Sequence, residues 1–88
     1  MAEAIYCFDT ATVRFAIHAD DGARVIAEIS EDPLRDLFGA RDGGDSLVAA
    51  YARNAILIDE RAMELHRIGR RPVLLETHDF ELTTQDTD

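Results

Sequence analysis

The segment Thr12-Val13-Arg14-Phe15-Ala16-Ile17-His18-Ala19-Asp20-Asp21-Gly22-Ala23-Arg24-Val25-Ile26-Ala27-Glu28-Ile29 decides the fold. Val13, Phe15 and Ile17 alternate with less apolar residues, and Val25, Ala27 and Ile29 do the same after the turn. Period-2 alternation of this kind marks two half-buried strands. The turn follows from matching the two apolar rows. A two-residue turn at Asp21-Gly22 would pair Phe15 with Glu28 and put the rows on opposite faces. A three-residue loop, Asp20-Asp21-Gly22, instead pairs Ile17 with Val25, Phe15 with Ala27 and Val13 with Ile29. The same register sets Arg14 opposite Glu28, a favourable cross-strand pair. It also makes Gly22 the third loop residue, the left-handed position of a type I turn with a G1 bulge. Ala16 and Ile26 then lie on the outer face. Another strand, the N-terminal segment or a second subunit could cover them.

Outward from the hairpin, Ile5–Phe8 reads as a short strand. Ser30 can cap a short helix over Glu31–Phe38, with Glu31 and Asp32 in its first turn, Pro33 tolerated there and Gly39 placed to end it. Ala40–Gly44 reads as a polar loop. Asp45 or Ser46 can cap a second helix. Leu47, Ala50, Tyr51, Asn54, Ile58, Ala62, Leu65 and Ile68 keep helical spacing, which predicts one long helix over Ser46–Ile68. Pro72–Thr77 reads as a further strand, with Phe80 within reach of the core. Residues 82–88 read as a frayed polar tail. The expectation is one α+β domain over residues 1–88. It has an antiparallel sheet of three to four strands, both helices on one face, and the order hairpin, helix, helix, strand.

The chain has 88 residues, a formal net charge of −9 and one cysteine. A domain this small buries only about 60–65% of its unfolded surface, so a dimer interface would be a natural supplement. All nine cations are Arg, a bias that fits a GC-rich bacterial genome. Cys7 sits among Ile5, Tyr6 and Phe8 and reads as a small buried hydrophobe. No apolar run reaches the ~18 residues of a membrane span, and the opening residues do not resemble a signal peptide. A cytoplasmic protein is expected. The acidic balance disfavours nucleic acid and anionic membranes, whose binding needs clustered cations, and favours a basic partner.

Several of these pieces resemble a family of small bacterial proteins catalogued as domain of unknown function 1488. They are the hairpin with its Asp-Gly turn, Ile29-Ser30, Leu34 with Leu37-Phe38-Gly39, the helix bearing Asn54, Ile58 and Ala62, and Val73-Leu74-Leu75 with Asp79-Phe80. Members often open on Phe-Pro-Asp, where this chain has Phe8-Asp9. The resemblance implies a small α+β fold with an antiparallel sheet. It implies no activity, cofactor or catalytic residue.

No motif with strong chemical content is present: there is no phosphate-binding glycine loop with its lysine, no paired-cysteine spacing and no His-Glu-x-x-His helix. His18, His66 and His78 read as surface imidazoles, because metal or acid–base work needs converging partners. His78 would share a strand face with Glu76. Glu60 and Glu64 read as one solvated helix face. Gly43-Gly44-Asp45-Ser46 could bind an anion at a helix start, but Asp42 and Asp45 would repel phosphate. No catalytic residue, cofactor or metal ligand is therefore assigned.

Two features stand out. Asn54 lies within an apolar stripe, where a buried amide must find partners. It either satisfies a nearby backbone group or anchors a ligand. Arg67, Arg70 and Arg71 form the one basic cluster, near a helix C-terminus where cations are favourable. They could instead dock an acidic partner or a phosphate-bearing ligand. The leading expectation is a non-catalytic accessory or protein-interaction domain that self-associates or binds a protein partner. The alternative is a small-ligand or nucleic-acid module built on the three arginines. An enzyme ranks third.

Overall fold

The computed structural model describes residues 4–81. The hairpin forms β2 (Thr12–His18) and β3 (Arg24–Ser30). Its register is the one derived from the apolar rows: Val13 opposite Ile29, Phe15 opposite Ala27, Ile17 opposite Val25 and Arg14 opposite Glu28. Ala19 donates its N–H to the Ala23 carbonyl, and Gly22 donates to the Ala19 carbonyl, closing the three-residue loop. Gly22 has φ +87°, a conformation that a side chain would strain. β1 (Ala4–Cys7) pairs antiparallel with β2.

Ser30 caps α1 (Glu31–Asp36), its hydroxyl accepting from the Asp32 N–H. The expected single long helix is two helices, α2 (Gly44–Arg53) and α3 (Ala55–Arg67). Asn54 leaves the helical conformation between them, at φ −121° and ψ +23°. A straight helix from 44 to 67 would run about 36 Å. The whole described domain is only 37 Å along its longest axis, and a seven-residue strand spans about 23 Å. The bend keeps both halves on the sheet: α2 packs on β1 and β2, and α3 on β2 and β4. One residue leaves the helix and the next resumes it, so the apolar stripe continues past the break.

The second helix begins at Gly44, with Gly43 as its cap, and not at Ser46. The Ser46 hydroxyl instead accepts from the Arg41 N–H at 2.8 Å. Gly44 is required where it stands. A Cβ there would lie 2.8 Å from Cδ2 of Tyr6, whose ring covers the helix start.

The last strand, β4 (Val73–Leu75), pairs with β3, and the sheet order is β1-β2-β3-β4. This pairing is parallel, so the expected antiparallel sheet is a mixed one. The three intervening helices form the crossover that a parallel pair requires. The strand expected over Pro72–Thr77 is confined to Val73–Leu75, and the chain then turns into α4 (Thr77–Glu81). The frayed tail expected at 82–88 lies outside the described residues.

The core joins the inner sheet face to the helices. Val13, Phe15, Ile17, Ala27, Ile29, Val73 and Leu75 meet Leu34, Leu47, Ala50, Tyr51, Ile58, Ala62 and Leu65. Phe15 and Tyr51 stack with ring centroids 4.7 Å apart. No helix among the described residues is long and apolar enough to cross a membrane.

Candidate functional site

Alternation that buries one face of the hairpin presents the other. The outer face carries Ile5 from β1, Arg14 and Ala16 from β2, Arg24, Ile26 and Glu28 from β3, and Leu74 from β4, as the registers require. Ile5 is 60% exposed and Ile26 49% exposed, while the inner residues of β2 are buried. Ala16, opposite Ile26, leaves a shallow hollow of about 130 Å³ rimmed by Ile5, Arg14, Arg24 and Ile26. Beside it Glu28 ties the strands together. It accepts from the Thr12 hydroxyl at 2.9 Å and from the Arg14 guanidinium at 3.2 Å. Along β3 the outward order is Arg24, Ile26, Glu28: a cation, an apolar centre and an anion.

The structure disperses the three arginines of the basic cluster. Arg67 makes a two-pronged contact with the Asp20 carboxylate of the hairpin loop, at 3.0 and 3.1 Å. Arg67 hydrogen bonds and charge hold the Asp20 carboxyl below the usual carboxylate range. Arg70 instead reaches the buried Asp79, at 3.4 Å. Arg71 is exposed, just before Pro72. Two of the three are thus matched by carboxylates from different parts of the fold.

Asn54 is half-buried at the junction of α2 and α3, and its side-chain N–H donates to the Ala50 carbonyl at 2.9 Å. It satisfies an otherwise open carbonyl in the last turn of α2. His18 faces Arg24 at the end of the hairpin, and His66 lies in the last turn of α3. His78 lies on α4, 3.7 Å from the Asp79 carboxylate, and does not share a strand face with Glu76. Among the described residues, no three His, Cys, Asp or Glu side chains converge as a metal cluster would.

A second polar link sits inside the helix layer. The Tyr51 hydroxyl donates to Asp59 at 2.7 Å. Burial raises the Asp59 carboxyl above its ordinary value, and the Tyr51 hydrogen bond opposes part of that rise. Burial raises the Tyr51 hydroxyl as well, so it stays a donor.

Asp79 carries a role that composition did not disclose. It is fully buried. Its carboxylate accepts the Glu76 N–H at 2.8 Å, and its backbone carbonyl accepts from Arg61 Nε at 2.7 Å. The Asp79-to-Glu76 contact is the return half of a capping box, with a carboxylate three residues into the helix. The signal in the sequence is the spacing Glu76-Thr77-His78-Asp79, a weak one beside a strand-like Val73-Leu74-Leu75.

In comparisons with known proteins, no family model, no curated protein and no solved structure matches the chain.

Proposed function

We propose that this chain is a non-catalytic protein-interaction domain of a bacterial cytoplasmic protein, and that it self-associates through the outer face of its sheet. The observation that carries this reading is the apolar centre left on that face, Ile5, Ala16 and Ile26, while the opposite face is packed under three helices. The order Arg24, Ile26, Glu28 supports a second copy as the occupant. A two-fold axis across the strands at Ile26 sets each Ile26 against its mate and each Arg24 against the mate's Glu28. Such an isologous contact is self-complementary. With strands of four, seven, seven and three residues, this face projects about 330 Å². That is below the ~800 Å² per partner of a standard interface, so the dimer belongs to the weak, exchanging class.

Membership in domain of unknown function 1488 is part of the proposal and rests on the motifs quoted above. The single cysteine supports the cytoplasmic assignment, and the Arg-only set of cations supports the bacterial one. A ligand module built on Arg67, Arg70 and Arg71 has less support, because Asp20 and Asp79 already meet two of its cations.

Sedimentation across a concentration series tests the self-association. The expected result is a monomer–dimer equilibrium abolished by Ile26→Glu. A strict monomer at high micromolar concentration refutes it, as does a dimer indifferent to Ile26→Glu.

A further inference from the structure

On the helical side of the domain, α3, α4 and the turn that follows α1 line a groove of about 320 Å³. Leu37, Phe38, Leu57 and Phe80 form its apolar lining. Leu37 is 44% and Leu57 53% exposed, so two leucines stand half in water over one depression. Its floor is firm. Phe38 and Phe80 meet edge to face with centroids 5.4 Å apart, and the buried Asp79 capping contact holds α4 beneath them.

The polar part of the lining is acidic in effect. Arg61 is the cation there, and it is spent on the Asp79 carbonyl and on Glu64, at 2.7 and 2.6 Å. Asp79 is turned inward to the Glu76 N–H and Arg70. Glu60 is exposed at the rim. A visitor therefore meets leucine and phenylalanine flanked by carboxylate, on a molecule of net charge −9.

We propose that this groove docks an amphipathic helix of a partner protein, one with Lys or Arg beside its apolar anchors. Charge selects the partner. A second copy of this chain brings another net −9, and its own residues 82–88 bring Asp86 and Asp88 with no cation. A basic segment is steered in and matched at the rim. Shape selects a helix. The walls are side chains of α3, α4 and the turn after α1, with no strand edge among them, so strand addition has nothing to pair with, while a helix can lay its ridge alongside α3. Leu57 to Glu64 spans about 10 Å along α3, or two turns, which matches anchors at i, i+4 and i+7.

The test uses the full chain and three labelled synthetic helices of roughly fourteen residues. The first has Leu anchors and Lys flanks, the second Leu anchors and Glu flanks, and the third Ala anchors and Lys flanks. Fluorescence anisotropy reads the binding. The Leu–Lys helix is expected to bind at least about 10-fold tighter than either of the others, one decade being ~1.4 kcal/mol. Leu57→Ser, at a half-exposed position that does not support the core, is expected to remove about the same factor. Glu60→Arg should weaken the Leu–Lys helix and strengthen the Leu–Glu one, a gain that a misfolded variant could not show. Ile26→Glu should leave all three unchanged, which separates this groove from the sheet-face contact. Equal binding of the Ala–Lys helix would reduce the effect to bulk charge and overturn the proposal. So would indifference to Leu57→Ser, or nuclear Overhauser contacts placing Leu82 against Leu57.

Discussion

Replacing Asp79 with Ala removes the side chain that holds the last turn of the domain in place. Three contacts are lost, of which the one to the exposed His78, at 3.7 Å, is too long for a hydrogen bond and adds little. The Glu76 N–H at 2.8 Å is a charge-assisted bond, of a kind that contributes about 1.5–2 kcal/mol. The Arg70 contact is long, 3.4 Å, and Arg70 is partly exposed, so it adds only a few tenths of a kcal/mol. The expected loss is about 2 kcal/mol, which for a domain this size lowers Tm by roughly 8–16 °C. Asp79→Asn keeps an acceptor for Glu76 but loses the charge, so about half of that loss is expected. Urea unfolding with an unchanged m-value measures both, and the ring resonances of Phe80 report whether α4 still packs on Phe38. A change under about 0.5 kcal/mol for Asp79→Ala, with Phe80 unmoved, would refute the capping role.

Three further outcomes are expected. Gly44→Ala places a Cβ 2.8 Å from Tyr6; overpacking should destabilise by about 1–3 kcal/mol, against the ~1 kcal/mol gain usual for this exchange inside a helix. Thermal melts decide the sign. Asn54→Leu loses the bond to the Ala50 carbonyl and should cost about 1 kcal/mol in urea titration; a neutral or stabilised variant rejects the capping role. Asp59 has a folded-state pKa raised mainly by burial. Its favourable contribution is therefore complete below the ordinary carboxylate range and is lost as pH rises through the raised value. Asp59→Asn mimics the neutral form, so it should be more stable than the parent at neutral pH, and the gap should close as the pH falls through the carboxylate range. Urea midpoints over a pH series test this, and a pH-independent gap contradicts it.

The hairpin was legible because its evidence is local. Both strands and the loop lie within Thr12–Ile29, period-2 alternation fixes which side chains share a face, and only one loop length aligns the two rows. The Ser30 cap was legible for the same reason. The break at Asn54 was not, because one polar residue in an apolar stripe reads the same whether it is buried or bends the helix. The five residues of α4 are too few to display a helical period.

By itself, then, the sequence determined the hairpin register, the helical stripes and a sheet with one apolar side. The tertiary structure decided the parallel pairing of β4, which depends on where three packed helices return the chain. It also separated Arg67 from Arg70, each to its own carboxylate. Only packing brought Leu37, Leu57 and Phe80 around one groove. Periodicity reports which face of an element is buried, but not which distant element will cover it.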